Sequence, residues 1–220
     1  VLKEITQIEP AMIPMLSAKP KIDGVDSADK YKEAYYDNSF YFSGSGTALN
    51  PPVEMKVGQY DNKLYIYLRC DEPNLKQIIS ITNKERDGAL WGGDFLSVFL
   101  SPDRSTYYQL IVNPAGYIYD EEVINGVKDA SWDGNWEVKT FTGDNYWAAE
   151  FEIPFSEIGL REIESGHTMY MNICRQRGKA VQLYSWSNVG NNFHQPDKFR
   201  PIMLLEDHSL NNVTVSQLNF

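Results

Sequence analysis

Between Val53 and Leu205 the apolar runs are short, rich in β-branched and aromatic residues, and closed again and again by Gly, Pro, Asn or Asp. That punctuation favours antiparallel strands joined by turns and disfavours long helices or a parallel α/β sheet. VEMKVGQY (53–60) and LYIYLRC (64–70) flank Asp61-Asn62-Lys63, a hairpin signal. FLSVFL (95–100) is nearly all apolar and reads as a strand buried on both faces. YYQLIV (107–112) follows a Ser-Pro-Asp-Arg-Ser turn, and Asn113-Pro114-Ala115-Gly116 leads into GYIYDEEVI. The clearest hairpin joins WEVKTF to YWAAEFEI through Thr142-Gly143-Asp144-Asn145. In its second arm Trp147, Ala149, Phe151 and Ile153 share one face, predicted to be core, and Ala148, Glu150 and Glu152 share the other, predicted to face water. Pro154 ends that strand, and PFSEIGL reads as one helical turn closed by Gly159. Further strands are expected at 169–176, 182–187 and 199–205, an edge strand in VTVSQLNF (213–220), and one short helix within 73–90.

The expected fold class is therefore all-β: an antiparallel β-sandwich of about ten strands with one short helical turn. Residues 1–19, with Pro10 and Pro14 blocking helix, read as an extended lead-in packed on the sandwich, and 20–220 as the sandwich domain.

Charge removes several functions. Thirty Asp+Glu against 20 Lys+Arg leave a formal charge of −10, unsuited to nucleic acid or an anionic membrane. No apolar run is long enough to cross a bilayer as a helix. His167, His194 and His208 lack zinc spacing, and Ser43, Ser45, Ser185 and Ser187 lie in no nucleophile elbow. Asp23, Asp26 and Asp29, and the run Asp120-Glu121-Glu122, have oxygens that suit calcium, yet read better as solvated loops. No cofactor is expected, structural calcium being the open alternative. Asp94, Asp120, Glu121 and Glu150 could supply a glycosidase pair, but among 30 acids such placements arise by chance, so no catalytic residue is assigned. Cys70 and Cys174 are either two buried thiols or one bridge.

The aromatic inventory points elsewhere. The chain has 14 Tyr, 10 Phe and 5 Trp. Flat amphipathic rings stack on the C–H faces of sugars, and Arg, amide and carboxylate groups bind the hydroxyls. Leu90-Trp91-Gly92-Gly93-Asp94 and Tyr184-Ser185-Trp186-Ser187-Asn188 carry that mixture. Trp136 and Trp147 read as core, and Trp132 is ambiguous.

An ordered set of motifs resembles the family 9 carbohydrate-binding modules and their wider relatives. It comprises Ile-Asp-Gly, Leu-Tyr-Ile-Tyr-Leu-Arg-Cys-Asp-Glu-Pro, Trp-Gly-Gly-Asp-Phe-Leu-Ser-Val-Phe-Leu-Ser-Pro, Tyr-Tyr-Gln-Leu-Ile-Val-Asn-Pro-Ala-Gly, Trp-Ala-Ala-Glu-Phe-Glu-Ile-Pro-Phe-Ser-Glu-Ile-Gly-Leu, Met-Asn-Ile-Cys-Arg, Ser-Trp-Ser and Phe-His-Gln-Pro-Asp-Lys-Phe-Arg, from about Pro20 to Leu205. The resemblance implies a β-sandwich with an edge slot where two tryptophans grip a terminal sugar. By motif position those rings are Trp91 and Trp186, with Arg175, Asn113, Asn172 and Asp94 as polar contacts. Ser97 stands where the family usually has an acid, and residues 40–52 look like an inserted loop. The expectation is a non-catalytic module binding an oligo- or polysaccharide, associated with polysaccharide breakdown in a parent protein or system. It would work outside the cytoplasm (secreted, periplasmic or at the cell surface), its signal peptide removed. The alternatives are an interaction module that has lost the slot, a glycan-active hydrolase using Asp94 with Asp120 or Glu121, and a haem-binding relative with Met55 or Met171 as axial ligand.

Overall fold

The computed structural model describes residues 8–27, 29–43, 47, 53–82, 85–161, 163, 166–178 and 182–205. Its strands are β1 (Ala11–Ile13), β2 (Tyr35–Asp37), β3 (Tyr41–Phe42), β4 (Glu54–Tyr60), β5 (Lys63–Asp71), β6 (Phe95–Ser101), β7 (Thr106–Val112), β8 (Ile118–Ile124), β9 (Val127–Asp129), β10 (Glu137–Thr142), β11 (Tyr146–Pro154), β12 (Thr168–Arg177), β13 (Gln182–Ser185) and β14 (Arg200–Leu204). The larger sheet runs β1-β14-β12-β6-β7-β8-β9, with β13 on β12 and β3 on β13; the smaller runs β10-β11-β5-β4-β2. All pairings between named strands are antiparallel except β1 with β14, where the lead-in lies parallel and sets Ala11 opposite Ile202. The fold is the expected all-β sandwich.

Local chemistry explains the turns. Asp61 and Asn62 join β4 to β5 with φ of 48° and 57°, left-handed values that these two residue types tolerate and that match strand twist. Pro154 ends β11, and the 3₁₀ turn Phe155–Ile158 closes at Gly159, φ 77°, whose N–H caps the Ser156 carbonyl. A 3₁₀ turn at Leu75–Gln77 lies within 73–90, where one short helix was expected, and Pro196–Lys198 adds another.

The two sheets meet over one core. Leu96, Val98 and Leu100 from β6 and Met171 and Ile173 from β12 meet Leu64, Ile66 and Leu68 from β5 and Trp147, Ala149, Phe151 and Ile153 from β11. Met55 also lies in this core. Cys70 is in it too, whereas Cys174 belongs to a separate cluster with Phe99, so the two thiols are free.

The other face of β11 corrects the sequence reading. Ala148, Glu150 and Glu152 are buried, not solvated. The chain before β2 covers that face: Leu16, Tyr31, Tyr65, Tyr67 and Ala148 form a cluster, with Leu16 so close that a Cβ on Gly58 would meet its Cδ2 at 2.6 Å. Glu150 serves this cover as an anchor. Its Oε2 accepts the N–H groups of Asp23 (2.8 Å) and Gly24 (2.9 Å), and its Oε1 the Tyr31 hydroxyl (2.9 Å) and the Lys30 ammonium (2.8 Å). A buried carboxylate is tolerable when it is satisfied this fully. The expected strand at 213–220 lies outside the described residues, as do 44–46 and 48–52 of the 40–52 loop.

Candidate functional site

The outer face of the larger sheet carries odd-numbered β6 side chains, Phe95, Ser97 and Phe99, with Ile111 of β7 and Tyr119 of β8. Two segments lie against it: one brings Ile81 and Leu90, the other Phe193 and Phe199. Trp91 stands at this margin, 48% exposed. Its indole meets Tyr119 edge-on at 4.9 Å and Phe95 at 6.3 Å. The Trp-Gly-Gly-Asp motif is built by close approach. A Cβ on Gly93 would strike the Ile79 carbonyl oxygen at 2.3 Å. That oxygen accepts the Asp94 N–H at 2.7 Å, while Asp94 Oδ2 accepts the Ile79 N–H at 2.8 Å. Gln176 on β12 donates to the carbonyls of Trp91 (2.7 Å) and Gly93 (2.9 Å), fixing the loop to the sheet.

Polar groups continue from the ring across β8. Tyr119 donates its hydroxyl to Glu121 Oε2 at 2.8 Å, and Lys128 donates to Glu121 Oε1 at 3.0 Å. His194 sits between Lys128 (3.0 Å at Nε2) and the Tyr107 hydroxyl (3.1 Å at Nδ1), edge-on to Phe99. Burial, with the Lys128 charge, holds the imidazole below its ordinary range. Gln109 donates to the Ser97 hydroxyl at 2.9 Å, so the position lacking an acid is filled by a neutral pair. Phe193 packs against the clusters of both Phe99 and Phe95. Tyr119, Gln176, Lys128 and Phe193 were not singled out from sequence, because only strand register places them beside Trp91.

The other five sequence candidates are engaged within the protein. Trp186 is fully buried in the inter-sheet core; its Nε1–H donates to Asp37 at 2.8 Å, and the Arg200 guanidinium covers its ring at 4.1 Å. Arg175 is fully buried, donating twice to the Asp71 carbonyl at 3.1 Å and lying 3.5 Å from Glu72. Asn113 holds its own turn: its amide donates to the Ile81 carbonyl and its Oδ1 accepts from Ala115 and Tyr117. Asn172 accepts the Ser187 N–H, and Asp94 holds the 79–94 segment as above. Of the two tryptophans expected to face each other across a ligand, Trp91 has an exposed ring and Trp186 has none of its surface exposed. Small polar neighbours around Trp186 suggested exposure, yet the residue, just past the end of β13, packs in the core.

Asp120, one of the acids singled out for calcium or catalysis, is engaged within the fold. Asp120, Asp87 and Asp133 converge, and Arg86 lies among them, pairing with Asp120 at 2.5 Å and Asp133 at 2.9 Å. Asp120 also accepts from Gly134 N–H and Trp136 Nε1. Burial chiefly, and then the neighbouring Asp120 charge, push the Asp87 carboxyl up to about 6, although Oδ1 accepts the Asp120 N–H. Because its folded value exceeds the unfolded one, the folded state holds the extra proton between the two, and stability falls as pH rises through about 6. Asp87→Asn keeps the acceptor and tolerates the positive φ of 62°. Thermal melts should show this variant about 1–3 °C more stable at pH 7.5 and level with the parent near pH 4; an unchanged difference across that range would contradict the assignment.

The class defined by these observations is a two-sheet antiparallel sandwich with an aromatic-edged outer face. Among solved structures the fold is that of the family 9 carbohydrate-binding modules. A Caldicellulosiruptor kristjanssonii family 9 module in complex with cellotriose matches with TM-score 0.67 at 19% identity, over 94% of this chain and 98% of that one. The module from the same organism with glucose matches with TM-score 0.65 at 18% identity, over 89% and 96%. A Bacteroides uniformis protein provisionally described as carbohydrate-binding matches with TM-score 0.66 at 17% identity, over 89% and 100%. No protein-family model and no curated sequence matches the chain.

Proposed function

We propose that this domain is a non-catalytic carbohydrate-binding module whose ligand rests on Trp91. The observation that carries the reading is one exposed indole, braced edge-on by Tyr119 and Phe95, with carboxylate, ammonium and amide groups adjoining it. A sugar ring stacks on such a face, while Lys128 and Gln176 offer hydroxyl partners. Phe193, across the same aromatic floor, is the second wall in place of Trp186. Solved structures of this fold hold cellotriose and glucose, so β-glucan oligosaccharides are the first ligands to test. The setting this reading implies is polysaccharide use outside the cytoplasm.

Calorimetry with cellotriose and a panel of plant, host and microbial oligosaccharides tests it. Trp91→Ala should weaken binding of any hit by ~30-fold, about 2 kcal/mol. The ring is half exposed, so the melting temperature should move by less than about 2 °C. Normal binding by Trp91→Ala would remove this site, and silence across the panel would favour the interaction-module alternative.

A further inference from the structure

Lys128 stands on β9, an edge strand of three exposed residues, so packing does little to fix its long stem. Two contacts fix the ammonium instead: Glu121 Oε1 on β8 at 3.0 Å and His194 Nε2 at 3.0 Å. An ammonium has three N–H groups and no lone pair, so Nε2 must accept and the imidazole must be neutral. The ring hydrogen then sits on Nδ1, which donates to the Tyr107 hydroxyl oxygen at 3.1 Å and lies 3.8 Å from Glu121 Oε1. The groups facing the ring are therefore Tyr107 of β7, Glu121 of β8 and Lys128 of β9, while β6 presents Phe99 edge-on. Along its own segment the next charged residues are Asp197 and Lys198, both exposed. Two of the three ammonium N–H groups are spent in this way, and the third is left for a ligand on a side chain half open to solvent.

A proton added to this imidazole goes to Nε2, the nitrogen that holds the lysine. An N–H would then face an ammonium of like charge, so the contact becomes repulsive and Lys128 keeps only Glu121. Burial and the Lys128 charge oppose that proton and outweigh the pull of Glu121, which places the titration below the ordinary imidazole value of about 6.5. Losing one anchor also returns rotamer freedom to the lysine stem, and a ligand must then order it again.

We propose that His194 is a positioning residue of the Trp91 surface: its neutral imidazole holds Lys128 ready for a saccharide hydroxyl, and its protonation releases that lysine and weakens binding. The inference rests on the Trp91 reading. Calorimetry of the full chain with cellotriose, and with any other oligosaccharide of the panel that binds, is run from pH 7.5 down to 4.5. Affinity should fall ~3–10-fold over that range, the loss of about one hydrogen bond. His194→Gln keeps an acceptor that cannot titrate, so its affinity should change by less than about 2-fold. His194→Phe has no acceptor and should bind at pH 7.5 as weakly as the acidified parent, with melting temperatures confirming that both variants fold. Asp87 titrates near pH 6 as well, so the difference between parent and His194→Gln is the quantity read. Imidazole proton NMR follows the ring without a ligand: the His194 midpoint should lie below about 6.5 and rise in Lys128→Met. Silence of the panel at every pH would remove the Trp91 reading, and this inference with it. Binding that is flat with pH in the parent, an equal slope in His194→Gln, or a midpoint unmoved by Lys128→Met would overturn the role of His194 alone.

Discussion

Trp186→Ala is expected to lower stability by about 3–5 kcal/mol, the cost of emptying a fully packed aromatic position. The melting temperature should fall by roughly 8–15 °C for a chain of this size. The ring fills the space between the sheets near Tyr35, which meets it edge-on at 6.3 Å, and supports the Arg200 guanidinium. Its loss also takes a donor from Asp37. Burial pushes that carboxyl up, but hydrogen bonds from Trp186, the Ser39 N–H and Tyr35 outweigh it and hold it below its ordinary value. Trp186→Phe keeps much of the volume and loses only the hydrogen bond, so about 1–2 kcal/mol is expected. Urea denaturation of both variants beside Trp91→Ala checks the contrast: loss of the tryptophan with no exposed surface should cost stability, and loss of the exposed one should cost little. A Trp186→Ala protein as stable as the parent would contradict the core placement.

The second large effect lies at Glu72. This carboxylate is 1% exposed and takes two hydrogen bonds from Arg177, at 2.5 and 2.8 Å, beside the buried Arg175 at 3.5 Å. Removing one partner of a buried ion pair strands the other charge, so Glu72→Gln should cost about 3–5 kcal/mol. Replacing both Glu72 and Arg175 by Met should recover only part of it, because Arg177 is still left without its carboxylate. Burial raises the Glu72 carboxyl, but the Arg177 hydrogen bond and charge overcome it, leaving it below the usual carboxylate range. A folded value below the unfolded one means stability that is present above about pH 4.3 and is lost as pH falls through the folded value. The Glu72→Gln protein should therefore show a shallower acid limb in urea titrations between about pH 5 and 3. An unaltered acid limb would show that this carboxylate is not held by its arginines.

Much of the sandwich was legible because strand signals are local. Pro154 and Gly159 ended β11 and its 3₁₀ turn where their backbone limits require, and the alternation of Trp147, Ala149, Phe151 and Ile153 pointed to the true core face. FLSVFL read as buried on both faces because nothing polar enough to face water interrupts it, and β6 is buried along its length. The site was legible only at Trp91, where two adjacent glycines marked a backbone packed against something else. The opposite face of β11 misled: Glu150 and Glu152 look solvated in sequence, yet they bind Lys30, Tyr31, Lys63 and Tyr65 from distant segments.

Sequence alone therefore determined the all-β class, the hairpins and one face of each clear strand, since these follow from propensity and period within a few residues. Tertiary structure decided which polar residues are spent internally. Arg175, Asn172, Asn113, Asp94 and Trp186 have the chemistry of a sugar site, and each is engaged within the fold. Tyr119, Gln176, Lys128 and Phe193 reach the Trp91 margin only through pairing between strands and the return of the 189–199 segment. The physical reason is that exposure and hydrogen-bond partnership belong to pairs of segments far apart in the chain, and no local pattern encodes them.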